Sequence, residues 1–143
     1  MVALIDTNVI IDALVNREPF AAKACALLSL CAKNYFLGYF AAHTIPDIFY
    51  ILRKDYTGTE RKDMLLGVCR VLDVVVIDKV MLVSALNDAH FDDVEDCLQA
   101  ECAVSINADY IVTRNIDDFS ASTIPAILPE DFLVKIEAAQ AQS

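Results

Sequence analysis

Hydrophobic and polar positions follow two rhythms along the chain. Short apolar runs stand at residues 2–5 (Val-Ala-Leu-Ile), 35–41 (Tyr-Phe-Leu-Gly-Tyr-Phe-Ala), 74–77 (Val-Val-Val-Ile) and 109–113 (Asp-Tyr-Ile-Val-Thr). They are too short for stable helices and rich in β-branched or aromatic residues, so they predict strands. Between them apolar residues recur at helical spacing. Residues 18–33 carry Ala21, Ala24, Leu27, Leu28 and Cys31 on one broad face, and further helices are predicted to about Lys54, over 60–72, over 80–86, and from Asp92 or Asp93 toward Ile106. Thr7 or Asn8, Thr44 ahead of Pro46, Thr59, and Asp92 or Asp93 are placed to cap helix starts. A short fifth strand at 126–128, a helix from Pro129 and a polar tail at 138–143 close the chain. Strands separated by helices pair in parallel through right-handed crossovers. The expected fold is therefore α/β: one domain over 1–137 with a central, mostly parallel four- or five-stranded sheet flanked by helices.

Several apolar runs stop at an acid or open on one. Asp6 ends the first run, Asp78 the third; Asp47 falls near the start of the helix after the second strand, and Asp96 in an early turn of the helix before the fourth. Asn115 and Asp118 lie in the polar turn that leaves the fourth strand. Open parallel sheets collect ligands at the carboxyl ends of their strands, which gives Asp6, Asp47, Asp96 and the Asn115/Asp118 turn one expected address. Two unit charges about 4 Å apart at an effective dielectric of 20 repel by roughly 4 kcal/mol. Carboxylates gathered this way call for a cation, and hard oxygen ligands suit Mg²⁺ or Mn²⁺, which activates water and stabilises charge on a phosphodiester. A purely structural capping role for Asp6 remains the alternative at this level.

Bulk properties narrow the classes. The 143 residues fit one domain, and 57% are hydrophobic, which suggests a sheet buried on both faces or a large partner surface such as a homodimer interface. Charges interrupt every apolar run before the ~18 residues that a bilayer crossing needs, and nothing near the N-terminus resembles an export signal. Five cysteines, an odd number without C-x-x-C spacing, sit in apolar helical segments and read as reduced, buried thiols of a cytoplasmic protein. Two histidines, His43 and His90, supply a histidine-based metal or nucleophile system poorly. A net charge of −10 argues against nonspecific binding to nucleic acid, although Arg53, Lys54, Arg61, Lys62 and Arg70 concentrate basic charge in one region that also reads as a solvated helix face.

Ile-Asp6-Thr-Asn near the start, Asp93-Val-Glu95-Asp96-Cys-Leu-Gln-Ala, and Tyr110-Ile-Val-Thr113-Arg114-Asn115-Ile-Asp-Asp118-Phe119 together resemble a PIN domain, in order and over nearly the whole chain. The resemblance implies a Mg²⁺- or Mn²⁺-dependent endoribonuclease of the kind found as the toxin in VapBC-type toxin–antitoxin pairs, with RNA as substrate, a small antitoxin as partner and a homodimeric state. Asp6 matches the family's first metal ligand and Asp96 its third. Asp47 stands where the family usually has glutamate, one C–C bond shorter, and Asn115 where some members carry aspartate, with Asp118 beside it as a substitute. The catalytic acids implied are thus Asp6, Asp47, Asp96 and Asp118, and the metal ligands Asp6, Asp96, Asn115 and Asp118. Asn8 and Thr113 are expected to orient ligands by hydrogen bonds. Asp93 is a further candidate, also explained as an N-cap. Arg114 either contacts the scissile phosphate or neutralises the acidic turn, and Asp12 reads as a solvated helix acid. Two other readings stay open: a PIN-like partner module with weak or no catalysis, suggested by Asp47 and Asn115, and a phospho-acceptor domain, which Asn8 disfavours because such enzymes need a second acid two residues after the first.

Overall fold

The run Val2-Ala3-Leu4-Ile5 is apolar on both faces because it becomes the middle strand of a covered sheet. In the computed structural model, which describes residues 1–143, this strand β1 (Val2–Ile5) has β2 (Leu37–Ala41) on one side and β4 (Tyr110–Val112) on the other. The edges are β3 (Asp73–Val75) and β5 (Ala126–Ile127), giving the order β3-β2-β1-β4-β5 with every pairing parallel. Side chains alternate across the pleat. Ala3 and Ile5 enter one core with residues of α1 (Thr7–Leu14), α2 (Ala21–Ala32), α3 (Thr44–Ile51), α4 (Gly58–Val71) and α7 (Pro129–Ala141). Leu4 enters a second core on the opposite face, against α6 (Val94–Ser105), which in turn packs on α5 (Lys79–Asn87). Helices cover both faces, so the high hydrophobic content has a place to go.

The expected α/β architecture is the observed one, with local corrections. Neither Thr7 nor Asn8 caps α1: Asp6 itself occupies the extended residue before the helix, and Thr7 is already helical. Thr44 likewise lies inside α3 rather than capping it; it is wholly buried and hydrogen-bonds Thr7 Oγ1 at 2.9 Å, fastening α3 to α1. Thr57, not Thr59, caps α4, in a reciprocal pair with Glu60. The strand expected at 74–77 stops at Val75 because β3 is an edge: Val74 and Val76 face solvent, and Asp78 serves instead as the N-cap of α5. Helix α7 continues to Ala141, into the polar 138–143 stretch. All five cysteines are free, but Cys25 and Cys69 are exposed, so only Cys31, Cys97 and Cys102 match the buried expectation. Burial pushes the thiols of Cys97 and Cys102 up to about 11, which keeps them protonated and unreactive. No helix is long and apolar enough to cross a membrane.

At Gly38 in β2 the sheet and helices approach too closely for a side chain. A Cβ there would come within 2.6 Å of Leu72 Cδ2 and 2.8 Å of Cys31 Sγ, both in the packed core. Gly38→Ala is expected to cost about 1–3 kcal/mol through overpacking, read as a lower urea midpoint at unchanged slope.

Candidate metal centre

The parallel sheet brings the C-terminal ends of β1 and β4 side by side, and Asp6 leaves the first of them. Its amide donates to the Val112 carbonyl at 2.9 Å, holding the residue against the end of β4. Three donors meet its carboxylate, two of them from distant segments: Gln99 Nε2 to Oδ1 at 2.6 Å, Thr113 Oγ1 to Oδ2 at 2.7 Å, and the neighbouring Asn8 Nδ2 to Oδ2 at 3.1 Å. Thr113 Oγ1 also accepts the Asn115 amide at 3.0 Å, so one hydroxyl ties the turn after β4 to Asp6. Asn8 and Thr113 therefore both donate to the Asp6 carboxylate. Gln99 was not anticipated, since a glutamine on an apolar helix carries no local signal.

Asp93 caps α6, accepting the amides of Glu95 at 2.7 Å and Asp96 at 3.2 Å. The cap fixes the first turn and turns two acids toward the sheet. Burial, with Asp93, Asp118 and Asp6 nearby, raises the Asp96 carboxyl to about 6. Glu95 rises further, to about 7, through burial first and then its closeness to Asp47, Asp93 and Asp6. The structure thus gathers Asp6, Asp47, Asp93, Asp96 and Asp118, and adds Glu95, which the sequence reading had left unassigned. Asp118 comes from a 3-10 turn (Ile116–Phe119). Asn115 donates its backbone amide to Thr113 and, like Asp118, is exposed at the rim; of the two only Asp118 carries a charge, and that charge acts on Asp96.

His43, the residue just before α3, lies against the same acids. One ligand atom each from His43, Asp47 and Glu95 falls within 4.8 Å of the others. Burial lowers the His43 imidazole below its usual range, against the opposing pull of Asp47 and Asp6. The site also leaves acceptors stranded: Asn8 Oδ1 and Gln99 Oε1 are buried without hydrogen-bond partners. Oxygen acceptors lacking donors, next to carboxylates that resist ionisation, are a donor set that fits a hard divalent cation.

The sequence profile of the PIN domain matches residues 2–117. The chain belongs to the PIN domain family. Among solved structures its fold is similar to a chain of VapBC2 from Rickettsia felis, determined bound to a DNA fragment from their promoter. The TM-score is 0.67 at 19% sequence identity, covering 90% of this PIN domain and 98% of that chain. No curated protein matches this sequence.

Beside the acids of this PIN domain lies a pairing that sequence reasoning misread. Asp12 is 1% exposed, not a solvated helix acid. Arg114 grips it with Nε at 2.6 Å from Oδ2 and Nη2 at 3.3 Å from Oδ1, while Arg17 Nη1 stands 3.6 Å from Oδ1. The Arg114 guanidinium also covers the Phe20 ring at 4.0 Å. Its two-pronged edge is therefore occupied by Asp12, which works against the phosphate contact expected of Arg114.

The raised carboxyls give the PIN domain a defined pH response. Glu95 and Asp96 hold protons more tightly folded than unfolded, so stability falls as pH rises from about 4, their ordinary range, through about 6 and about 7. His43 acts in the opposite sense up to its ordinary value near 6.5, but the two carboxyls are displaced further and prevail. Both keep partial contact with screening solvent, so the expected loss between pH 5 and pH 8 is roughly 1–2 kcal/mol. Thermal melts of EDTA-treated protein should show it, with Mn²⁺ restoring stability at pH 8 and doing little at pH 5; equal effects of Mn²⁺ at both would contradict this account.

Proposed function

We propose that this PIN domain is a Mg²⁺- or Mn²⁺-dependent endoribonuclease, the toxin half of a toxin–antitoxin pair, working as a cytoplasmic homodimer and held in check by a small antitoxin. The supporting observation is the meeting of Asp6, Asp96 and Asp118 from three separate segments at the carboxyl edge of the sheet. These three would hold the cation. When bound, such an ion lowers the pKa of an adjacent water and offsets charge developing on a phosphodiester. The chain's own contribution is orientation and electrostatics. Gln99, Thr113 and Asn8 hold Asp6 from three sides, and the Asp93 cap fixes the turn that presents Asp96. A surface carrying a net charge of −10 repels RNA, so the acidic site admits a phosphodiester only once its charge is offset. Lys54, Lys62 and Arg70 stay exposed near α4, whereas Arg61 is bound to the Phe49 carbonyl at 2.6 Å and Arg53 covers Tyr50.

Structured RNA incubated with the protein and Mg²⁺ or Mn²⁺ should be cut, and Asp6→Asn and Asp96→Asn should not cut it; equal cleavage by the variants would mean a contaminating nuclease. A second reading, a PIN-fold partner module with little catalysis, draws on the short side chain of Asp47 and on Asn115 in place of an acid. Under it, Asp6→Asn would leave the Mn²⁺ binding recorded by calorimetry unchanged. For the toxin role, growth arrest on expression and its relief by a short protein encoded next to this gene are the outcomes to seek. A lone 15.8 kDa species at micromolar concentration in sedimentation would refute the dimer.

A further inference from the structure

Next to the carboxylates assigned above stands a group of ligand atoms with different chemistry. His43 and Asp47 are four residues apart at the start of α3, so their side chains share one side of its first turn. Glu95 reaches them from the first turn of α6. His43 Nε2 lies 3.5 Å from Glu95 Oε1, an ion-pair distance without a hydrogen bond, and both imidazole nitrogens are enclosed by protein with no hydrogen-bond partner. Buried imidazole nitrogens are ordinarily satisfied. Here what faces them is carboxyl oxygen of Asp47 and Glu95, and a cation would bind nitrogen and carboxylate together.

We propose that His43, Asp47 and Glu95 form a second divalent-cation position beside the Asp6–Asp96–Asp118 carboxylates, whose nitrogen ligand selects a first-row transition ion over Mg²⁺. Imidazole suits such ions, whereas Mg²⁺ favours carboxylate, carbonyl and water oxygen. Ligands opposite one another on a small ion, each about 2.1 Å away, lie roughly 4.2 Å apart. The observed 4.8 Å limit closes to that with small side-chain rotations, all the easier because Glu95 is half exposed. Three protein ligands leave positions for water. Asp47 thereby moves from the main acid set to this one, and its short side chain fits the change, since it needs to reach only His43, one helical turn back. The site depends on these three side chains and not on whether the protein cuts RNA.

Mn²⁺ is the probe, because its pulsed electron paramagnetic resonance spectrum registers a directly bound imidazole nitrogen. EDTA-stripped full-length protein titrated with Mn²⁺ should show that nitrogen coupling. It should persist in Asp6→Asn, vanish in His43→Gln, and require at least tenfold more Mn²⁺ in Glu95→Gln, whose half-exposed side chain can change without unfolding the helix. A tenfold excess of Mg²⁺ should leave the nitrogen-coupled Mn²⁺ in place. Folded wild-type protein that binds Mn²⁺ without nitrogen coupling would overturn the proposal. So would coupling that survives in His43→Gln, since His90 would then be its source, or coupling unaffected by Glu95→Gln. Absence of RNA cleavage with the nitrogen signal present would count against the nuclease reading alone; cleavage without the signal would count against this site alone.

Discussion

Replacing Arg114 with alanine is expected to destabilise the fold by about 3–5 kcal/mol, the range for removing one partner of a buried ion pair. Asp12 is 1% exposed and has two cationic neighbours, of which Arg114 makes the close two-pronged contact and Arg17 stands off at 3.6 Å. Without Arg114, a carboxylate is left in the interior with a distant, half-exposed partner, and the Phe20 ring loses its cover. Urea unfolding reads the loss directly. Arg114→Lys should fall between, because an ammonium keeps the charge but not the planar fork or the stacking. The decisive control is Asp12→Leu combined with Arg114→Met, which removes both charges and should return much of the stability. A loss under 1 kcal/mol in Arg114→Ala would show that solvent reaches Asp12 and that the pair matters little.

The second large effect concerns Asp6. Asp6→Asn is expected to lower RNA cleavage at least a thousandfold, about 4 kcal/mol of activation free energy, while stability falls by only about 1–2 kcal/mol. Two changes oppose each other in the fold. An amide nitrogen at position 6 must face at least one of the three donors now pointing at the carboxylate, a mismatch worth about 1–3 kcal/mol. Removing one negative charge also relieves Asp96 and Glu95, both raised in part by Asp6. Their carboxyls should therefore titrate lower in the variant, measurable by carbon-detected NMR. Single-turnover cleavage within tenfold of wild type would remove Asp6 from the chemistry.

What the sequence made legible was whatever is encoded locally. The four-residue apolar run closed by Asp6 placed β1 and the acid at its carboxyl end, and the acidic start of α6 placed Asp92 or Asp93 as a cap and Asp96 in its first or second turn. Parallel pairing followed once strands and helices alternated, whereas the order β3-β2-β1-β4-β5 has no local signal. The reading failed where a side chain's partner lies far along the chain. Gln99 and Asp6 are separated by 93 positions, Arg114 and Asp12 by 102, and no periodicity connects them. Asp12 looked like a wet helix acid because nothing in α1 marks it as buried; its partner Arg114 reaches it from the turn after β4. His43 was passed over because histidines were scarce, although one was enough to change the chemistry beside Asp47. Glu95 was hidden by its neighbours, as one acid among several at a helix start.

The convergence of α1, α6 and the end of β4 on Asp6 also bears on how such a protein would decay if selection on its activity lapsed. Asp118 and Glu95 stand at the surface, and drift could erase them with little harm to folding. Asp6 is different, because its loss strands donors from three elements in the interior. A lineage losing its chemistry would shed the peripheral acids first and the central aspartate last, so genealogical traces of inactivation belong at the rim of the pocket.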